Sequence, residues 1–311
     1  MESLTLSLNV VIPILLLILV GQAIRLKKLV SDSALTQMNQ LVFRIFLPCT
    51  LFLNIYQTKL STIDPGLIFF AVSCVLVSFG LALLIMPRFS RDRKKLSVMV
   101  MNTFRSSIAL FGIPIAASIY KNADLGVTSM VVAVVVPMTN MLSVIVLEMY
   151  RGQGIQIKKI LKGILTNPLI IGSFLGLVLM LANIKLPVFL SDTITNLSRV
   201  ASPLALVVLG ASFQPLALLH NLKELAVMVS ARLVFVPLLF LSLAILIGYR
   251  DLSLVTLMVV FASPNAIASY SMAEAMGADG ELASQGLLLS TVFCILTIFT
   301  WVFVFSFFGL I

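Results

Sequence analysis

Apolar runs of about twenty residues follow one another along almost the whole of this chain. About twenty is the length a helix needs to cross a hydrocarbon core some 30 Å thick. The spacing predicts ten spans, at 7–24, 35–56, 66–86, 97–120, 127–149, 163–184, 193–213, 224–248, 253–276 and 283–308. With 60% hydrophobic and 11% charged residues and a mean hydropathy of +1.14, the chain lacks the charged surface of a soluble globular domain. Helices satisfy their own backbone polar groups in lipid. The expected fold is therefore an all-α polytopic membrane protein.

The net charge of +9 would suggest a nucleic-acid partner in a soluble protein, but its distribution reports topology and no nucleic acid is expected. The loops after spans 1, 3, 5 and 7 carry 13 Lys and Arg, and the alternate loops carry only Lys59, Lys121, Lys185 and Arg250. The positive-inside rule then makes the basic loops cytoplasmic and leaves both termini outside a cell membrane. Met1-Glu2-Ser3 has no basic region before the first apolar run, which reads as a span rather than a secretory signal. Cys49, Cys74 and Cys294 stand singly in apolar runs and read as packing residues.

A proline inside an apolar segment removes a backbone donor and clashes with the preceding turn. Span 4 contains Gly112-Ile-Pro114-Ile-Ala116-Ala-Ser-Ile-Tyr120, and span 9 contains Ser263-Pro264-Asn265-Ala266-Ile-Ala-Ser-Tyr270. Both hold Pro-x-Ala-x-x-x-Tyr, followed by Asp124 and Gly126 in one case and Asp279 and Gly280 in the other. Spans 2 and 7 share Arg-x-x-x-Pro, at Arg44 to Pro48 and Arg199 to Pro203. The nearly common offset predicts a duplicated unit of five spans (1–150 and 163–311) joined by a basic linker at 151–162. An odd number of spans per unit inverts the second copy. A matched pair of broken helices near the midplane is the sequence signature of a transporter's binding site.

Each break should expose a half-helix N-terminus, whose free N–H groups and positive dipole end favour an anion. Asn265 sits at the mouth of one, to cap it or to contact a ligand. Ser106 and Ser107 approach the other, with Pro114 as the expected breaking residue and Gly112 allowing close helix approach. Arg105 is the sharpest charged candidate, because a membrane-embedded charge is costly and arginine grips a carboxylate through two parallel hydrogen bonds. It also lies close enough to the cytoplasmic end of span 4 to snorkel. Arg44 and Arg199 read as structural, and Arg232 as either snorkelling or paired. Glu148, Glu274 and His220 read as solvated boundary residues, and Tyr120 and Tyr270 as packing beside the breaks.

At these residues the chain resembles the auxin efflux carrier family, which includes plant auxin exporters and bacterial malonate and malate permeases. Four pieces carry the resemblance: Phe104 to Pro114, Pro137-Met-Thr-Asn140 to Glu148, Thr166-Asn167-Pro168 to Gly172, and Ser263-Pro264 to Gly277. The resemblance implies ten helices in a 5+5 inverted repeat, with crossover helices 4 and 9. Helices 1, 2, 6 and 7 would form a scaffold, and 3–5 and 8–10 a moving transport domain. It also implies a homodimer and a carboxylate-bearing substrate at the crossover, touching Asn265, Pro264, Ser263, Pro114, Gly112, Ser107, Ser106, Arg105 and Asn140. Family members often carry Asn where this chain has Ser107, and Gly where it has Ala109; serine keeps a hydroxyl but loses the amide fork.

The expected function is transport of small organic anions, mono- or dicarboxylates, by alternating access, without catalysis and in contact with membrane lipid. No phosphate-binding loop, zinc-protease spacing or Ser–His pairing is present. No cofactor or metal is expected. Coupling to H+ or Na+ is left open, since sodium binds carbonyls and hydroxyls such as Ser106, Thr139, Asn140 and Ser263 without a charge signature. The alternatives are a sodium-coupled carrier of larger amphipathic anions resembling bile-acid carriers, and a membrane sensor that moves nothing.

Overall fold

The computed structural model describes residues 2–58, 64–120, 125–151, 157–213 and 215–311, and among them every regular element is helical. In chain order these are α1 (Glu2–Leu26), α2 (Asp32–Leu41), α3 (Leu47–Tyr56), α4 (Pro65–Ile85), α5 (Arg93–Phe104), α6 (Ile108–Ile119), α7 (Gly126–Arg151), α8 (Ile157–Thr166), α9 (Pro168–Leu181), α10 (Val188–Ser212), α11 (Leu222–Ser230), α12 (Val236–Ile247), α13 (Asp251–Ala262), α14 (Ile267–Ala275) and α15 (Gly280–Phe307). Seven of the helical segments they build are long and apolar enough to cross a membrane, accompanied by two shorter apolar helices, Ile12–Leu26 and Pro168–Leu181. Lys59, Lys121, Asp124 and linker residues 152–156 lie outside the described residues.

Helix starts follow local chemistry. Asp64 accepts from Leu67 N at 3.0 Å to open α4, with Pro65 supplying a fixed φ at the first position. Asn167 does the same for α9 ahead of Pro168, accepting from Leu169 N at 2.9 Å, and this cap separates α8 from α9. Asp92 and Asp279 cap α5 and α15. The five-residue π turns Val42–Phe46 and Ala231–Phe235 join α2 to α3 and α11 to α12, and each ends two residues before a proline, Pro48 or Pro237. Proline cannot donate to the carbonyl four residues back, so the ladder slips to longer bonds, Leu47 N to Val42 O and Val236 N to Ala231 O.

Helix α1 lies along α10, and α3 lies against α9 and α10. Small residues let these backbones touch, as is usual where lipid supplies no hydrophobic drive between helices. A Cβ on Gly172 or Gly176 would come within 2.6 Å of the Pro48 or Phe52 carbonyl oxygen of α3. At Gly210 a Cβ would strike the Ile18 carbonyl of α1, and at Gly21 the Val207 carbonyl of α10. Gly210→Ala is accordingly expected to destabilise the α1–α10 contact by about 1–3 kcal/mol, read as a lower unfolding midpoint of the detergent-solubilised protein. The second group of helices packs around α13, with α6, α7 and α12 against it and α5 between α4 and α7.

The charge-rich segments gather at one end. Lys95 Nζ donates to Asn221 Oδ1 at 2.7 Å, Asn221 Nδ2 donates to Gln285 Oε1 at 2.9 Å, and Arg93 Nη2 donates to the Met149 carbonyl at 2.9 Å. Arg25 pairs with Asp32 at 3.4 Å. At the other end Leu186 N donates to the Tyr56 hydroxyl at 2.9 Å, and Asp251 N to the Leu310 carbonyl at 3.0 Å.

The structure corrects one expectation about the breaks. Span 9 does open at Ser263–Ala266, between α13 and α14, but span 4 opens at Arg105–Ser107 and not at Pro114. Helix α6 runs through Pro114, which is exposed on its surface. An outward-facing proline leaves only one carbonyl without its donor, whereas a full break needs partners for several polar groups. Such partners are found where the two segments meet.

Candidate functional site

Pro264 biases Ser263 away from helical backbone, and Ser263 is extended at φ −67°, ψ 153°. No proline follows Arg105, yet it too is extended, at φ −90°, ψ 125°. The reason is long-range bonding. Ser107 N donates to the Pro264 carbonyl at 2.8 Å, and Ser106 Oγ donates to the Val260 carbonyl at 2.9 Å. The two breaks therefore supply each other with hydrogen bonds deep in the protein, where an unpaired polar group is costly.

Arg232, buried at 1% exposure on the second π turn, completes the arrangement. Its Nε donates to the Ser263 carbonyl and its Nη2 to the Val260 carbonyl, both at 2.9 Å. These carbonyls end α13, so the cation sits at the negative end of that half-helix. Of the two sequence readings of Arg232, pairing is the one observed, with backbone carbonyls as partners.

Arg105 differs. It is 3% exposed and does not snorkel. Its guanidinium donates to Asn140 Oδ1 of α7 and reaches the thioether sulfurs of Met272 and Met101. Among the described residues the ion pairs are Arg25–Asp32 and Arg151–Glu148, and no buried residue is Asp or Glu. A buried cation held only by an amide oxygen and two thioethers lacks a counter-charge.

The groups around it are also under-used. Asn265 is 1% exposed; its backbone N–H donates to Ser290 Oγ at 3.2 Å, but neither atom of its side-chain amide has a partner among the described residues. It does not cap α14, whose N-cap residue is Ala266 and which has no side-chain cap. Ser107 likewise precedes α6 without capping it. Asn140 Nδ2, Ser263 Oγ and Ser269 Oγ are buried without partners as well. Ser269 and Met272 lie on α14, from which Met272 meets Arg105, while Asn265 lies in the break before it, next to Pro264, whose carbonyl accepts from Ser107 N at 2.8 Å.

Of the residues expected at a site, Arg105, Ser106, Ser107, Asn140, Ser263, Pro264 and Asn265 come together here. Gly112 and Pro114 lie further along α6, and Tyr120 ends that helix. Arg44 and Arg199 are exposed and stand apart, as does exposed His220. Glu148 pairs with Arg151 at 3.2 Å. Met272, Ser269 and Ser290 carried no motif, and no sequence signal singled them out. A polar cavity of about 220 Å³ opens between α2, α10, α14 and α15, lined by Asn39, Ser212, Tyr270 and Glu274 among others. It lies at the end where the charged segments gather. Asn39 Nδ2 reaches from its wall to the Ser271 carbonyl at 3.4 Å.

Apolar helices long enough to span a membrane enclose two touching helix breaks and a buried cation with no acidic partner among the described residues. The model of the family described as "Membrane transport protein", an auxin-efflux-carrier-like group, matches residues 6–302, and the chain belongs to it. It is similar to an uncharacterized transporter of Methanothermobacter thermautotrophicus, 22% identical over 95% of this chain and 97% of that protein. It is also similar to an uncharacterized transporter of Methanocaldococcus jannaschii, 24% identical over 94% of this chain and 97% of the other.

Proposed function

We propose that this chain is a secondary transporter or facilitator of small organic anions, with the anion's carboxylate held by Arg105 where the two helix breaks meet. The observation that carries the reading is Arg105 itself: buried, charged and without an acidic partner among the described residues. A carboxylate entering there replaces weak thioether contacts with charge-assisted hydrogen bonds. The half-helix N-termini of α6 and α14, neither capped by a side chain, add their dipoles.

Counting the seven long spans, the two shorter apolar helices and the α5–α6 pair as one broken span gives ten crossings. In this reading they form two inverted five-span units. The close-packed group of α1, α3, α9 and α10 supports its assignment as scaffold, and the helices around α13 as the moving part that carries the site past it. Locating the site at the junction of two half-helices lets one motion expose it to either side of the membrane.

Purified protein in liposomes is expected to take up labelled carboxylates saturably under a membrane potential or a sodium or proton gradient. Absence of carboxylate flux under all three conditions would overturn the proposal. Asn265→Ala is expected to raise KM by about tenfold, the loss of roughly one buried hydrogen bond to the ligand. Unchanged KM and binding would remove Asn265 from the site.

A further inference from the structure

The unpaired polar groups at the two joined helix breaks narrow the substrate, on the premise that the site binds an anion. First comes the charge count. The charged residues buried among the described helices are Arg105 and Arg232. Arg232 already spends Nε and Nη2 on the two carbonyls that end α13. One cation, Arg105, is left for a ligand. Moving a second carboxylate out of water into this setting would leave it unpaired, at heavy desolvation cost.

Next comes the donor and acceptor count. Asn140 Oδ1 faces the Arg105 guanidinium, so its unpartnered Nδ2 is a free donor. Ser263 and Ser269 hydroxyls can donate or accept. Asn265 is the demanding member: its buried amide leaves a donor and an acceptor both unpaired, side by side. A ligand that brings an O–H or N–H satisfies its Oδ1. A plain alkyl carboxylate brings none; malonate offers further acceptors alone, and malate brings a hydroxyl but also a second charge that Arg105 cannot pair.

We infer that the substrate is a monocarboxylate carrying a neutral hydrogen-bond donor beside the carboxylate, as in the small 2-hydroxy acids. Arg105 takes the carboxylate and the Asn265 amide takes the hydroxyl, donating through Nδ2 and accepting through Oδ1. Asn140 Nδ2 and the Ser269 hydroxyl complete the shell. Met272 supplies a polarisable, flexible wall that yields when the carboxylate displaces it from Arg105. Built this way, the site rejects ligands lacking the hydroxyl because its own buried amide then stays unpaired.

The test is ligand binding to the purified full chain, by thermal shift and by competition for uptake in proteoliposomes. The probes are lactate and glycerate (2-hydroxy monocarboxylates), propionate (no hydroxyl), malonate and malate (dicarboxylates) and lactamide (hydroxyl but no charge). Lactate or glycerate is expected to bind about tenfold or more tightly than propionate and than either dicarboxylate, and lactamide is expected to fail. Asn265→Leu, checked for monodispersity, is expected to collapse the lactate-to-propionate ratio toward one. Propionate binding as tightly as lactate, or a dicarboxylate binding more tightly, would overturn the inference while leaving anion transport intact. Lactamide matching lactate, or no anion binding at all, would overturn the anion reading beneath it.

Discussion

Arg105→Met should abolish carboxylate transport and leave the protein at least as stable as the parent. The transport loss follows from removing the one buried cation, among the described residues, without a backbone-carbonyl partner. Truncating one side of a buried charge pair costs about 2–5 kcal/mol of binding, roughly thirtyfold or more in affinity. The stability gain follows from the same burial. With no substrate bound, Arg105 is a desolvated charge among Asn140, Met101 and Met272, and an apolar chain of similar length removes that cost. Loss of flux with a maintained or raised unfolding midpoint is the signature of a group kept for function at the expense of stability. A sharp drop in stability with flux retained would make Arg105 a structural residue.

Arg232→Met should do the reverse in stability. Its guanidinium satisfies the Val260 and Ser263 carbonyls at the end of α13, each at 2.9 Å and fully buried. Removing it strands those acceptors away from water, at about 1–3 kcal/mol for each one left unsatisfied. Ser106 Oγ still reaches Val260 at 2.9 Å, so the Ser263 carbonyl bears most of the loss. The expected result is a fall of about 1–3 kcal/mol in stability, seen as a lower unfolding midpoint. Arg232→Lys should recover part of it, because one ammonium can serve one carbonyl but not the fork. The opposite stability changes at two equally buried arginines provide a test that neither variant gives alone.

The all-helical membrane character was legible because runs of twenty apolar residues admit few alternatives, and seven of the described helical segments are long and apolar enough to cross a membrane. Arg105, Asn265 and the serines were legible for a related reason: polar groups in apolar runs are expensive enough to stand out. The position of the first break was not. A proline announces a lost donor within its own segment, and Pro114 does so. A break, however, is decided by who satisfies the exposed groups, and the partners of Ser106 and Ser107 are Val260 and Pro264 in the other half of the chain. The Pro-x-Ala-x-x-x-Tyr copies consequently occupy different places, Pro264 in a break and Pro114 within a helix. The Arg-x-x-x-Pro copies diverge likewise: Arg44 lies in a π turn, Arg199 in the regular helix α10, and the second π turn belongs to Arg232. That correspondence was hidden because the shared feature is the proline's distance from the slip in the ladder, not its distance from the arginine.

The account's central claim is that an anion binds where the breaks meet, and a structure determined with a bound carboxylate tests it most directly. The prediction is that Arg105 leaves Met272 and makes two hydrogen bonds of about 2.7–2.9 Å to the carboxylate, with the Asn265 amide on the same ligand. Ligand density confined to the polar cavity beside Asn39 and Tyr270, with Arg105 still against Met272, would contradict it.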